Sequence, residues 1–253
     1  MPDPVQPSFQ TLKVSTDGRL GRLTLSQPDR LNPIGSVALQ ELAAAARWFN
    51  ETEASVVVVT GEGRAFSAGF DLHEFTRDAG RGPAVEEPEP AASTPLLGAA
   101  MAEAISTMEA ITIAAVQGPC VGGGFVLALC CDLRVASDEA WFSLPETELG
   151  IPLAWGGVPR LVREIGSVRT TELVLSCRRL PAAEASSWGL LNQVVSSTEL
   201  VGAVDDLASL LLTRRREVVT ATKHQVRAAA EALVPTDGSW AGTDLLISAL
   251  RSL

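Results

Sequence analysis

Apolar runs of strand length alternate with amphipathic runs of helix length along most of this chain. Leu12 to Ser26 predicts a hairpin turned at Asp17-Gly18, with Leu20, Leu23 and Leu25 along its second arm. A loop at Gln27-Pro28-Asp29-Arg30 leads to Ser36, an N-cap residue type, after which Leu39, Leu42, Ala46 and Phe49 recur at helical spacing. Ser55 to Thr60 holds four consecutive valines and reads as a strand buried on both faces. Further strands are expected at Ile111–Val116, Leu133–Ala136 and Trp141–Ser143, with a helix running from the Gly122–Gly124 turn through Leu129.

The pattern changes twice. Thr76 to Pro95 contains four prolines, two glycines and several acids with little periodicity, and reads as a mobile surface loop. After Gly157 the chain becomes helical: short helices over Arg160–Ile165 and Arg169–Cys177, one opened by Pro181 at its first position, then Leu207–Leu212 and Val218–Leu233. Repeated strand, turn and helix argue an α/β core with parallel strands. The chain divides into a core over residues 1–195, containing the loop at about 76–95, and a helical region over 196–253.

Composition narrows the function classes. The chain has 253 residues, 46% hydrophobic and 20% charged, as a globular enzyme does. Its net charge of −10, with no block of Lys and Arg, argues against a nucleic-acid partner. Four cysteines without a C-x-x-C pair, and only two histidines (His73 and His224, read as surface residues), give no metal site. The cysteines read as reduced thiols, and with no signal peptide visible the expected compartment is the cytoplasm. Ala110 to Cys131 carries no charge, but Gln117, Pro119 and three glycines interrupt it; a buried strand, turn and helix is expected, not a membrane span.

Two glycine-bearing turns carry the chemistry: Ala65-Phe66-Ser67-Ala68-Gly69-Phe70-Asp71-Leu72 and Pro119-Cys120-Val121-Gly122-Gly123-Gly124-Phe125-Val126. Each follows an apolar β-branched run and precedes a helix-like stretch, so each leaves backbone N–H groups at a positive helix end. Facing each other, two such turns can hold one developing oxyanion between two amides.

These segments resemble the enoyl-CoA hydratase/isomerase (crotonase) superfamily. Gly61-Glu62-Gly63 with the first turn is similar to its first signature. Gly122-Gly123-Gly124 with Leu127-Ala128 and Cys131-Asp132 is similar to the second. Phe142, Pro145-Glu146, Leu149-Gly150, Gly156-Gly157 and Arg160-Leu161 resemble the third, and Ala182-Ala183-Glu184-Ala185 with Trp188–Asn192 and Val194-Val195 the element that follows. With Pro28, Arg30 and Asn32, the resemblance spans about residues 12 to 233.

The resemblance implies a ββα spiral core with a helical C-terminal trimerisation region, and a homotrimer or hexamer. It implies an acyl-CoA thioester substrate, with CoA part of that substrate and no separate cofactor. The thioester oxygen would sit between the amides of Phe70 and Gly123. Ser67, Ala68, Asp71, Leu72 and Gly122 would line the CoA and substrate site, the carbonyls around Ala68 and Leu72 receiving the adenine. Arg30 and Lys223 are candidates for CoA phosphates, Lys223 from a neighbouring subunit; the alternative is two solvated surface charges. Asp71 is read foremost as a helix cap.

Hydratases of the family use two glutamates. The second matches Glu146; the position of the first is Val126, which neither accepts nor donates a proton. Glu146, flanked by uncharged Ser143-Leu144-Pro145 and Thr147, is the expected acid/base, with Glu148 a second candidate. The leading expectation is double-bond isomerisation of an enoyl-CoA by one glutamate. The alternatives are a hydratase using Glu146 alone, a non-catalytic acyl-CoA-binding protein, and a serine hydrolase built on Ser67, which lacks the G-x-S-x-G context. Phe70 and Trp155 stand where the family commonly has small residues; they either narrow the acyl site or belong to the core.

Overall fold

The computed structural model describes residues 4–71, 74, 90–236 and 239–250. A sheet of six strands runs in the order β1 (Leu12–Asp17), β2 (Leu20–Leu25), β3 (Val56–Gly61), β4 (Ile111–Val116), β6 (Leu133–Ser137) and β9 (Gln193–Val195). β1 and β2 form the antiparallel hairpin, Leu12 opposite Leu25, turning at Gly18 with φ +55°. All later pairings in this sheet are parallel. A smaller sheet joins β5 (Pro119–Val121), β7 (Trp141–Ser143) and β8 (Leu180–Pro181).

The valine run explains how the large sheet is covered. Alternate residues of a strand point to opposite faces. Val57 and Val59 enter the main core, together with Ala114, Val116 and Ala136. Val56 and Val58, with Ile113, Ala115 and Val135, pack instead against Leu200, Val204 and Ala208 of α6 (Leu200–Leu212). A strand with helices over both faces needs apolar residues at every position.

On the main-core side lie α1 (Ser36–Glu51), α2 (Pro90–Ser106) and α3 (Gly123–Cys130). The Leu39, Leu42, Ala46 and Phe49 stripe of α1 is buried as its spacing predicts. The cap differs: Gly35 is the N-cap, and Ser36 donates from N and Oγ to Glu74 Oε2 at 2.8 and 2.6 Å. A carboxylate distant in sequence therefore meets the positive end of α1. α2 also departs from expectation, because Pro90–Pro95 are its first turns rather than the end of a loop. Residues 76–89 of the expected loop lie outside the described residues.

The C-terminal part is helical: α4 (Gly157–Ser176), α5 (Ala182–Ser187), α6, α7 (Arg216–Leu233) and α8 (Ser239–Leu250). α4 is broken at Gly166 (φ +76°, ψ +165°), which gives the two helical pieces expected from sequence. Pro181 is the N-cap of α5 rather than its first residue. Among the described residues no helix is long and apolar enough to cross a membrane.

Lys223 fastens α7 to the large sheet. It is 6% exposed, and its Nζ donates to Ala110 O at 2.9 Å and to Asp132 Oδ2 at 2.7 Å. The same oxygen accepts from Thr112 N and Oγ1. Removing one member of a buried pair strands the other charge, at about 3–5 kcal/mol. Asp132→Ala is therefore expected to lower stability by roughly that amount, and Lys223→Met by less, since Asp132 keeps its Thr112 bonds. Urea denaturation of the two variants checks the order.

Candidate active site

The two glycine turns meet. A Cβ built on Gly69 (φ +90°) would lie 2.7 Å from Val121 O and 3.6 Å from Gly122 Cα, and one on Gly124 would lie 2.5 Å from Ser67 Cβ. Only glycine lets the backbones approach this closely. Main-chain bonds hold them there: Val121 N donates to Ser67 O at 3.0 Å, and Phe66 N and Ser67 N donate to Pro119 O at 3.1 and 3.2 Å.

Asn32 and Ser67 shape the first turn from within. Asn32 is 1% exposed and takes the left-handed region at φ +55°. Its Nδ2 donates to Glu62 O and Ala65 O, both at 2.9 Å, while its Oδ1 accepts from Gln27 N. Ser67, fully buried, donates from Oγ to Asn32 O at 2.7 Å and accepts from Gly69 N at 3.1 Å. A hydroxyl so committed is part of the turn's framework. That is not the arrangement of an activated nucleophile.

The second turn starts α3. Gly122 is its N-cap at φ +49°, a conformation that favours glycine, and its own N–H donates to Ser143 O at 2.9 Å. Gly123 is then the first helical residue, whose N–H has no acceptor within the helix. Phe70 N–H likewise has no acceptor among the described residues: in the bridge between Ile34 and Phe70 it is Ile34 N that donates to Gly69 O. Neither amide donates a hydrogen bond among the described residues.

Both residues line one cavity of about 290 Å³. Its wall also includes Ala68, Gly122, Val126, Glu146, Leu153, Trp155 and, from α8, Leu246. Glu146 is the one ionisable side chain among the described lining residues. Its Oε1 lies against Gly122, where a Cβ would come within 2.8 Å, and its Oε2 is buried without a hydrogen-bond partner. Burial pushes the carboxyl up to about 7, opposed by a hydrogen bond from its own backbone. The backbone of Glu146 sits in a tight turn in which Leu149 N and Ile151 N donate to its main-chain O at 3.1 and 3.0 Å.

Expected site residues separate into those at the cavity and those elsewhere. Phe70, Gly123, Glu146, Ala68 and Gly122 line it, and Ser67 supports it from behind. Arg30 and Asp71 meet each other, Nη2 to Oδ2 at 2.8 Å, with Arg30 about half exposed. Lys223 lies outside the lining, and its buried ammonium is engaged by Ala110 and Asp132 within this chain rather than being a solvated surface charge. Glu148 is exposed and outside the lining, and His224 is exposed on α7. Leu72 and His73 lie outside the described residues. No group of three metal-ligating side chains occurs among the described residues.

Sequence reasoning missed Thr94 and Pro95 of α2 and Leu246 of α8 in the cavity wall. No local signal marks them, because their role comes from how α2 and α8 pack. Trp155 is buried (7% exposed), in the left-handed region at φ +56°, with its ring edge-on to Phe70 at 6.3 Å and 74°. It belongs to both the core and the cavity wall.

The chain is similar to known proteins in sequence and in fold. The sequence model of the family described as enoyl-CoA hydratase/isomerase matches residues 16–246. A probable enoyl-CoA hydratase of Rhizobium meliloti is 36% identical over 216 residues, covering 81% of this chain and 78% of that protein. A carnitinyl-CoA dehydratase of Proteus mirabilis is 34% identical over 224 residues, 88% and 82% of the two chains. An enoyl-CoA hydratase structure from Mycobacterium avium subsp. paratuberculosis superposes with a TM-score of 0.88 at 28% identity, covering 98% of this chain and 96% of that one. The mixed α/β architecture is thus the crotonase fold, and the chain belongs to the enoyl-CoA hydratase/isomerase family.

Proposed function

We propose that this enzyme moves a carbon–carbon double bond in an enoyl-CoA thioester, with Glu146 carrying the proton. The observation that supports this reading is the one carboxyl among the described residues of the cavity, beside two amides that donate to no described residue, with Val126 where a second carboxylate would stand. The thioester carbonyl accepts from Phe70 N–H and Gly123 N–H. Ionised Glu146 removes a proton from C2 of a 3-enoyl-CoA, and the electron pair moves onto the carbonyl oxygen as an enolate. The two amides hold that oxygen more strongly than the neutral carbonyl, which lowers the barrier. Protonated Glu146 returns the proton at C4, giving the 2-enoyl-CoA and restoring the carboxylate. A group titrating near 7 serves both halves of this cycle.

A second reading is hydration with Glu146 as the sole acid/base, favoured by the relatives that are named hydratases and a dehydratase. One experiment separates the readings: 2-enoyl- and 3-enoyl-CoA substrates of varied chain length, with Glu146→Gln as control. Isomerisation of 3-enoyl thioesters, reduced about 10²–10⁴-fold in Glu146→Gln, is expected. Water addition alone establishes the hydratase, and tight binding without turnover of either class establishes a non-catalytic acyl-CoA-binding protein. Because Glu146 must be ionised to start, kcat/KM for 3-enoyl-CoA is expected to rise with pH through about 7.

The raised carboxyl also sets a sign for stability. Between its ordinary value of 4.5 and about 7, the folded protein binds the proton that the unfolded chain has released. Stability therefore falls as pH rises through that window. Glu146→Gln is expected to be more stable than the parent at pH 8, by about 1–3 kcal/mol, and nearly equal at pH 4. Denaturant titrations at the two pH values read this directly.

Exposed Val218, Val226 and Leu233 on α7 support self-association as a homotrimer or hexamer. Light scattering is expected to give three or six times the 26.6 kDa chain mass; a monomer overturns that reading.

A further inference from the structure

Trp155 combines two unfavourable features beside the reacting centre. It is the bulkiest of the described non-glycine residues with positive φ, and its buried indole Nε1 has no acceptor. Such features persist where the surroundings over-determine them, and they gather at functional sites. Here the surroundings are specific. Buried Arg160 donates from Nη1 to Trp155 O and Gly156 O at 3.2 and 3.0 Å. Its Nη2 donates to Ser106 Oγ at 3.0 Å, tying the turn to the end of α2.

The ring occupies a slot left by two glycines. A Cβ on Gly98 of α2 would lie 2.0 Å from indole Cε2 and Nε1, and one on Gly123 would lie 2.5 Å from Cζ3. The indole therefore reaches with its long axis from α2 to the residue that carries one of the two amides. Its edge contact with Phe70 brings it to the other. With the backbone clamped by Arg160 and the ring held at both ends, Trp155 is a rigid wall rather than a swinging side chain.

We propose that Trp155 is the specificity-determining wall of the acyl pocket and restricts this enzyme to short acyl groups. The inference rests on the acyl-CoA reading above. A thioester held at Phe70 N–H and Gly123 N–H must lay its acyl carbons past Glu146, in a space the indole closes on the α2 side. At about 290 Å³ the cavity lies at the lower limit for pockets that take drug-sized ligands. Apart from Thr94, the rest of the described wall is apolar, Pro95, Leu153 and Leu246 among it, so shape more than polarity selects the chain.

The test is binding of unreactive saturated thioesters (butyryl-, octanoyl- and dodecanoyl-CoA) by titration calorimetry. It compares the parent protein with Trp155→Phe and Trp155→Ala, each checked for folding by circular dichroism. The parent is expected to bind butyryl-CoA at least about tenfold more tightly than dodecanoyl-CoA. Trp155→Ala is expected to abolish or invert that ratio, and Trp155→Phe to move it part of the way; if the alanine variant does not fold, the phenylalanine variant carries the test. Equal binding of both thioesters by the parent, or an unchanged ratio in the folded variants, overturns the proposal and leaves acyl-CoA binding standing. A parent protein that binds none of the three overturns the acyl-CoA reading itself.

Discussion

The close approach of two backbone turns is the constraint on which the site depends. Gly69 meets the carbonyl of Val121, and Gly124 meets Ser67, at separations that no side chain permits. That contact brings Phe70 and Gly123 into the wall of one cavity. Neither turn could be positioned by its own sequence. β3 delivers the first and β4 with β5 the second, and their parallel pairing and the bridge between Ser67 and Cys120 fix the offset. Asn32 adds a third element by clamping the carbonyls of Ala65 and Phe66. A pair of preorganised donors stabilises a developing oxyanion because its dipoles need not reorient at the moment of reaction.

Around that pair the described cavity wall is largely apolar, and this gives Glu146 its chemistry. A carboxyl in water ionises well below neutral pH and is a weak base. Buried against Gly122 with one oxygen unpartnered, the same group holds its proton to about 7. Folding bears the cost of ionising it there. Trp155 is another local cost, in a left-handed backbone and an unsatisfied N–H. Unfavourable terms gathered in one cavity are what a fold tolerates where geometry must serve a ligand.

Much of this was legible in the sequence, and the exceptions have physical causes. The valine run announced a strand covered on both faces, and Val56–Val59 do divide between two cores. The glycine turns were legible because glycine punctuates apolar runs for few reasons. α2 was not, because it contains Pro95 and is apolar almost throughout Pro90–Ser106, leaving no polar stripe to reveal its period. Ser36 looked like a cap, but the partner of its amide is Glu74, reached through the tertiary fold. Lys223 was read as a CoA-phosphate ligand or a solvated surface charge, yet it is buried against Asp132, far away in sequence. The lining by Leu246 was invisible for the same reason. Apart from α2, what sequence concealed was long-range pairing rather than local conformation.

The span of the cavity wall, from Ala68 to Leu246, bears on how the site comes into being. Chains fold from the N-terminus as they are made, and early segments find their neighbours first. The hairpin and β3 can pair while most of the chain is still unmade, but the cavity is open until α8 lays Leu246 against it. The cavity wall thus depends on contacts between segments far apart in the chain.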